Sequence, residues 1–497
     1  ASSGMAMAHW EIQGWMILIL GWVFVPFYTR SMVYTMPEFL ERRYNPQSRT
    51  ILSVISLVSY VLTKVAVTVY AGGLVFQQVF GIKELWGIDF FWIAAIGLVV
   101  LTALYTIFGG MKSVLYTSVL QTPILLLGSL IILVLGFKEL GGWDEMMRVC
   151  GAVTVNNYGD TMTNLIRSND DANFPWLGAL IGSAIIGFWY WCTDQFIVQR
   201  VLSGKNEMEA RRGTIFGAYL KLLPVFLFLI PGMIAFALHQ KYIGAGGEGF
   251  LPMLANGTAN ADAAFPTLVA KLLPAGVKGL VVCGILAALM SSLASLFNSS
   301  AMLFTIDFYK RFKPETPEKK LVGIGQIATI VIVVLGILWI PIMRSVGDVL
   351  YTYLQDVQSV LAPGIAAAFL LGICWKRTSA QGGMWGLISG MVIGLTRLGA
   401  KVYYSNAGEV ADSTFKYLFY DMNWLFFCGW MFLFCIIVVI VVSLATEAPT
   451  AEKIQGLVFG TATKEQKAAT RASWNHWDII HTVIILAITA AFYWYFW

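Results

Sequence analysis

The chain has 497 residues, of which 58% are apolar and only 12% are charged, and its formal net charge is +5. This composition lies far from the average of soluble globular domains, and the small net charge gives no reason to expect nucleic acid as a partner. Several apolar stretches reach the roughly 20 residues that a helix needs to cross a bilayer. We therefore predict an all-α polytopic membrane protein whose helices form a single transmembrane domain, residues 1–497.

Hydrophobic runs between polar breaks predict twelve membrane spans. In chain order they are 8–29, 51–80, 90–108, 114–136, 176–202, 209–238, 277–308, 321–343, 348–374, 382–400, 423–445 and 477–497. Basic residues are concentrated in every second connection, as in 200–212 and 310–320, so the positive-inside rule puts these connections in the cytoplasm. The same rule puts Ala1 outside, in a multi-pass protein of the plasma membrane. A start on the outside predicts that preceding spans are missing.

The first and second spans carry charged residues. Glu11 lies beside Trp10, and two interpretations are open: an interfacial carboxylate in water, or a carboxylate that accepts two hydroxyl hydrogen bonds from a polyol. Lys64 lies in the second span, where a structural ion pair is the favoured interpretation. Two longer outer connections, 138–175 and 240–276, are rich in Gly, Asn and Asp and predict caps over an outer vestibule.

The fifth span contains Phe-Trp-Tyr-Trp-Cys-Thr-Asp-Gln at 188–195. Polar groups are costly at membrane depth and mark substrate or ion pathways. The neighbouring aromatic rings have flat faces of the kind that stack on sugar rings or close pores. This stretch therefore favours transport. In the sixth span Lys221 lies too deep to reach the membrane surface easily, and a carboxylate with a hydroxylated ligand would provide its partners, which favours function over a purely structural pair.

The seventh span places Ala288, Ser291 and Ser292 at i, i+3 and i+4, so a carbonyl and two hydroxyls can converge on one helix face. Sodium is a hard cation that prefers oxygen ligands, but stripes of small residues also permit tight helix packing, and the spacing alone favours packing. In the ninth span Gln355 can donate and accept, as a sugar hydroxyl does. We expect no enzyme, because the sequence has no nucleophile elbow, paired-histidine motif or phosphate loop.

Taken together, these residues resemble the sodium/solute symporter family, in its sodium–glucose cotransporter branch. The matching stretches follow the family order along essentially the whole chain; they are TMPEFLERR (35–43), YTIFGGM (105–111), WYWCTDQ (189–195), YLKL (219–222), MSSLASLFNS (290–299) and FLLG (369–372). The resemblance implies a leucine-transporter-like fold with two inverted five-helix repeats and extra helices. Residues 1–136 would form an incomplete first repeat that lacks its first core helix, 176–375 the second repeat, and 382–497 peripheral helices.

The resemblance also implies roles for individual residues. Glu11, Lys221 and Gln355 match residues that hydrogen-bond the sugar, and Tyr190 matches the aromatic inner gate beneath the sugar ring. The further gate residues that it implies are Trp10, Trp189, Trp191 and Tyr351. The residues that match the family's main sodium site, which reverses the preference for packing, are Ala288, Ser291 and Ser292.

Two departures from the family pattern bear on stoichiometry and substrate. Relatives proposed to hold a second sodium carry Asp within the motif found here at 116–118, and Thr where this chain has Ala294, so one sodium per sugar is expected. Gly187 stands where relatives often place a polar side chain toward the sugar.

The resemblance implies a secondary active symporter that imports a hexose-type, glucose- or galactose-like sugar with co-transported sodium by alternating access. Its expected partners are the sugar, sodium and the lipid bilayer, with no obligate protein partner. Three alternatives stay open. They are a symporter for inositol or another polar solute, such as a sugar acid or an amino acid; a sugar-gated sensor; and a sugar-gated channel on the same fold.

Overall fold

The computed structural model describes residues 3–254, 257–346, 350–407 and 411–497. It leaves out the side chains of 105, 107–115, 117, 118, 120, 344–346 and 352. Most of the motif at 105–111, and the side chains at 117 and 118 on which the expected sodium stoichiometry depends, therefore lie outside the described residues.

The described chain is mostly helical. Its longer helices are α1 (Gly4–Ser31), α2 (Met36–Arg43), α3 (Pro46–Phe80), α4 (Phe90–Leu140), α5 (Trp143–Gly151), α6 (Trp176–Thr193), α7 (Gln195–Leu202), α8 (Glu207–Gly244), α9 (Ala264–Leu272), α10 (Ala275–Phe312), α11 (Glu318–Val346), α12 (Leu350–Cys374), α13 (Ala380–Asn406), α14 (Trp424–Ala445), α15 (Lys464–Ala472) and α16 (His476–Tyr495). Shorter helical pieces are Ala261–Ala263, Thr414–Lys416, Tyr417–Asp421 and Ala451–Ile454. An antiparallel hairpin pairs β1 (Glu84–Leu85) with β2 (Ile88–Asp89).

Among the described residues, ten helices are long and apolar enough to cross a membrane, against the twelve spans predicted. The predicted spans 90–108 and 114–136 both fall in α4, which runs without a break, and its apolar parts are Phe90–Leu104 and Gln121–Leu140. The predicted span 382–400 falls in α13, which is rich in glycine and too weakly apolar to count. Each predicted span therefore coincides with helix, but the number twelve is not confirmed.

Several long helices depart from regular α-geometry within the bundle. In α1 the helical pattern stops at Ile12 and Gln13 and resumes at Gly14. The last turn of α6, Phe188–Thr193, is a π-helix, and Asp194 after it is extended. A second π-helical turn lies in the middle of α3, at Tyr60–Val65. Such turns are often found at functional sites because they change the direction of side chains.

Two hydrophobic cores meet at the π-helical end of α6. One core contains Trp10, Trp189 and Phe369, the other contains Ile12 and Ala218, and Trp191 packs against both. The aromatic stretch that the sequence singled out therefore lies between the two main packed regions.

The α2 segment is pinned onto the end of α12. Buried Arg43 donates to the carbonyls of Gly372 at 2.6 Å and Trp375 at 3.2 Å, and the hydroxyl of Tyr44 donates to the carbonyl of Ala368 at 2.7 Å. The bond to Gly372 satisfies a carbonyl in the last turn of α12, where carbonyls have no partner within the helix. Burial raises the pKa of Tyr44 to about 12, so its hydroxyl stays a donor at neutral pH.

Candidate functional site

A cavity of about 210 Å³ lies between α1, α6, α8 and α12. A single water needs only about 10–15 Å³ of such space, so the cavity has room for a small organic molecule. The residues that line it are Trp10, Glu11, Gln13, Ile186, Gly187, Tyr190, Trp191, Lys221, Tyr351, Leu354, Gln355 and Gln358. All four residues predicted to bind substrate, and three of the four predicted gate residues, are thus brought together by the fold.

The carboxylate of Glu11 is the centre of the polar wall. Lys221 donates to its Oε2 at 2.6 Å, and the hydroxyl of Tyr351 donates to its Oε1 at 3.0 Å. The break in α1 at Ile12 and Gln13 directly follows Glu11, so the carboxylate stands at a helix end rather than within a regular turn. A carboxylate has about four acceptor positions, and two remain for a ligand.

Aromatic rings form the apolar walls. Tyr190 and Trp191 line the cavity with their ring centroids 5.1 Å apart and their planes nearly perpendicular. Trp10 stacks on Trp424, with centroids 5.4 Å apart, which fixes its position at the cavity edge. Trp189, also predicted as a gate, is buried in the core and is not among the lining residues.

Two buried polar atoms that belong to lining residues find no partner among the described residues. They are the indole Nε1 of Trp10, a donor, and the amide Oε1 of Gln355, an acceptor. An unpaired buried polar atom costs free energy, of the order of 1–3 kcal/mol, so a ligand that pairs with it binds more strongly. A molecule with hydroxyl groups can serve both atoms, because each hydroxyl donates and accepts.

Sequence reasoning missed two of the polar lining residues, Gln13 and Gln358. Gln358 follows Gln355 by one helical turn, so helical periodicity could have identified it. Gln13 occupies space beside Gly187, where an added Cβ would lie 2.7 Å from its Oε1. A polar group is therefore present at the wall beside Gly187, and α1 supplies it.

Comparisons with known proteins identify the family of this chain. The model of the sodium:solute symporter family matches residues 1–390, which is most of the chain. The chain belongs to the sodium:solute symporter family. It is a multi-pass membrane protein and a sodium-coupled symporter rather than an enzyme, with sodium as the co-transported ion.

The symporter is similar to several curated cotransporters. It is 35% identical to sodium/myo-inositol cotransporter 2 of Homo sapiens, over 93% of this chain and 69% of that protein. It is also 35% identical to the sodium/mannose cotransporter of Bos taurus, over 97% and 83%, and to sodium/glucose cotransporter 4 of Danio rerio, over 91% and 70%. The solved structure of a Na⁺-coupled sialic acid symporter in a substrate-bound outward-open state has the same fold, with a TM-score of 0.66 at 20% identity over 90% of this chain and 87% of that one.

The predicted sodium residues of the symporter lie away from this cavity. Ala288, Ser291 and Ser292 lie in α10 and are half-buried, and none of them lines the cavity. Their helix packs along α4 and also against α3 and α11. A half-buried hydroxyl face is compatible with an ion site, since an ion must be able to enter and leave.

The polar residues 193–195 of the symporter do not line the cavity either. Asp194 pairs with Lys64, as expected for a structural pair, and its side chain accepts from the N–H of Phe196 at the start of α7. Gln195 accepts from the N–H of Met36 at 2.8 Å and so ties α7 to α2. These residues hold elements around the cavity and do not face it.

The connection 240–276, which was predicted to lie outside, is attached to the helix that carries Tyr351 and Gln355. Asp262 accepts from the N–H of Leu350 at 3.1 Å, at the first described residue of α12. Burial raises the pKa of Asp262, although the hydrogen bond from Leu350 acts in the opposite direction. The connection predicted to cap the outer vestibule is thus fixed to a helix of the site.

Proposed function

We propose that the symporter imports a neutral hexose-type sugar, glucose- or galactose-like, together with sodium. The cavity around Glu11 is the observation that supports this proposal most directly. It combines a carboxylate, an ammonium and amide groups with aromatic faces, which is the chemistry that recognises the hydroxyl groups and the apolar face of a sugar ring.

In this proposal each group has its own role. Glu11 and Lys221 hydrogen-bond sugar hydroxyls from one side, and Gln355 binds a hydroxyl through its unpaired Oε1. Tyr190 stacks beneath the ring as the inner gate, with Trp191 beside it, while Trp10 and Tyr351 close above. The pairing of Glu11 with Lys221 leaves the site without a net charge, which favours a neutral substrate over an acidic one.

We further propose that one sodium ion binds at Ala288, Ser291 and Ser292 for each sugar transported. The ion would stabilise the outward-open state, and its loss inside would weaken the inner gate. Rocking of one helix bundle against another, in a fold of two inverted five-helix repeats with residues 176–375 as the second, would then alternate access to the site.

A second candidate substrate is myo-inositol. A similar relative is named as a sodium/myo-inositol cotransporter, and inositol is also a neutral ring that carries hydroxyl groups. Because the cavity chemistry fits both molecules, the choice depends on how the hydroxyls match Gln13, Gln355 and Gln358.

Uptake into proteoliposomes tests the proposal. Labelled D-glucose, D-galactose, D-mannose and myo-inositol are supplied outside with an inward sodium gradient, and with potassium in place of sodium as the control. We expect sodium-dependent uptake of a hexose, and competition by unlabelled sugars gives the order of preference. Uptake of myo-inositol alone would replace the hexose by inositol, and no sodium-dependent uptake of any of the four would contradict the proposal.

A further inference from the structure

Lys64 is a buried ammonium that the substrate site does not use. It lies in the π-helical turn of α3 and forms an ion pair with Asp194, and both side chains are almost fully buried, at 8% and 2% exposure. The hydroxyl of Tyr60, four residues before Lys64, donates to the same carboxylate at 2.9 Å. One turn of α3 therefore holds the carboxylate by two contacts.

Four aromatic rings surround the ammonium of Lys64. Its Nζ lies 5.0 Å from the centroid of the Tyr190 ring, a distance at which a cation is attracted to the face of a ring. The other rings, with distances of 4.2, 4.8 and 6.0 Å, are Phe196, Tyr60 and Trp189. Tyr190 lines the cavity and Lys64 does not, so Tyr190 contacts both the cavity and a buried positive charge.

Asp194 occupies the point where the helical pattern is broken. Its backbone is extended between the π-helical turn of α6 and the first residue of α7. Its carboxylate accepts from the N–H of Phe196 at 3.1 Å, so it also caps α7. A movement of α7 relative to α6 would therefore shift the position of this carboxylate. Because Lys64 is paired with the carboxylate, the same movement would alter the contact between Lys64 and the Tyr190 ring.

We propose that Lys64 is a positioning residue for Tyr190, and that separation of the Lys64–Asp194 pair opens the site toward the inner side. The inference rests on the proposed function, because it takes Tyr190 as the inner gate. While the pair is intact, the ammonium holds the Tyr190 ring across the cavity and Asp194 holds the break between α6 and α7. When α7 moves away, the ring loses the cation and the pathway opens beneath the substrate.

The test compares variants of the full chain in proteoliposomes. Loss of one partner leaves an unpaired buried charge and destabilises the fold, so the informative change is the double variant Lys64→Met with Asp194→Asn, which removes both charges. Lys64→Arg keeps the cation and is the conservative rescue. The matched control removes another buried pair, Arg167→Met with Asp171→Asn, in an outer connection.

A native thiol reports the opening without any need for a substrate. Cys192 is free and buried, two residues before Asp194, and Cys150, Cys428 and Cys435 are free and buried elsewhere. The rate of N-ethylmaleimide labelling at each cysteine is measured by mass spectrometry of peptides. We expect Cys192 to react at least about fivefold faster in the double variant, with the three other thiols unchanged and with wild-type rates in Lys64→Arg and in the Arg167/Asp171 control.

Two labelling results would overturn the inference. One is a labelling rate of Cys192 that is the same in the double variant as in the wild type. The other is faster labelling of all four buried thiols together, because the pair would then only stabilise the fold.

Uptake of labelled D-glucose separates this inference from the proposed function. The double variant is expected to have a KM for glucose raised roughly two- to tenfold, the range for loss of one cation–π contact, and an unchanged KM for sodium. A wild type that transports none of the four probe solutes would contradict the proposed function, while Cys192 labelling would still decide whether the pair controls opening.

Discussion

At the scale of single residues, the candidate site is organised by the hydrogen bonds that the Glu11 carboxylate accepts from Lys221 and Tyr351. Lys221 and Tyr351 each take one of its oxygens, and both donors come from other helices. The ammonium is partly buried, at 16% exposure, and the carboxylate compensates its charge within the bundle. A sugar that binds here adds hydrogen bonds to a pair that already exists.

Removal of Gln355 or Lys221 is expected to weaken sugar binding and to leave sodium binding unchanged. Gln355→Ala should raise the sugar KM about tenfold, as for the loss of one buried hydrogen bond, because its Oε1 has no other partner within the described residues. Lys221→Ala should have a larger effect, because it leaves the Glu11 carboxylate without its cation. Initial uptake rates against sugar concentration, at saturating sodium, measure both.

Gln455→Ala, on an exposed connection, is the matched control for these variants. An unchanged sugar KM in Gln355→Ala would remove this residue from the site.

The sequence predicted the charged and aromatic residues that line the cavity but missed Gln13 and Gln358. Glu11, Lys221 and Gln355 stand out because each is a polar residue in a strongly apolar span. Gln13 could not be placed in the same way, because its position depends on the break in α1, which local sequence does not reveal. Its contact with Gly187 joins residues 174 positions apart and needs the tertiary structure.

At the scale of whole elements, a hydrogen bond joins the connection 240–276 to α12. Asp262 accepts from the N–H of Leu350 at 3.1 Å, where the described part of α12 begins. Movement of the connection should therefore reach Tyr351, one residue further along.

Two replacements of Asp262 are expected to distinguish the stability that its hydrogen bond contributes from the stability that its charge contributes. Asp262→Ala removes both and should lower the thermal unfolding temperature in detergent by a few degrees, in line with about 1.5–3 kcal/mol for a charge-assisted hydrogen bond. Asp262→Asn keeps an acceptor oxygen and should lose less than half of that. Equal unfolding temperatures for Asp262→Ala and the wild type would show that this contact does not hold the connection.

Replacement of Ser292 in α10 is expected to change the sodium dependence of uptake. Ser292→Ala removes one hydroxyl from the proposed ion site and should raise the half-saturating sodium concentration roughly tenfold, with little change in the maximal rate at high sodium. Ser300→Ala on the same helix is the control. Uptake at varied sodium and fixed sugar measures the effect, and an unchanged sodium dependence in Ser292→Ala would count strongly against the site.

The positions of the spans were predicted better than the connections between them and the π-helical turns within them. Hydrophobicity placed helix at every predicted span, because lipid requires that backbone groups be satisfied within the helix. The join of 90–108 with 114–136 in α4 was not predicted, since the polar break around Lys112 suggested a turn. The π-helical turns in α3 and α6 also could not be predicted, because they depend on packing between helices.

At the scale of the whole molecule, the fold brings residues of the first, fifth, sixth and ninth predicted spans to one cavity. The family and the fold are shared with sodium-coupled cotransporters. We therefore expect the energy of a sodium gradient to drive a sugar through this cavity against its own gradient. A sugar-gated sensor or channel on the same fold could bind the sugar but could not accumulate it.

Accumulation in proteoliposomes is the most direct measurement of that claim. Vesicles that contain the full chain are given labelled D-glucose at equal concentration on both sides and then an inward sodium gradient. We expect internal glucose to rise above the external concentration and to fall back when a sodium ionophore collapses the gradient. Gln355→Ala should reduce the rise. Glucose that stays at equal concentrations on both sides, or accumulation that persists without the sodium gradient, would contradict it.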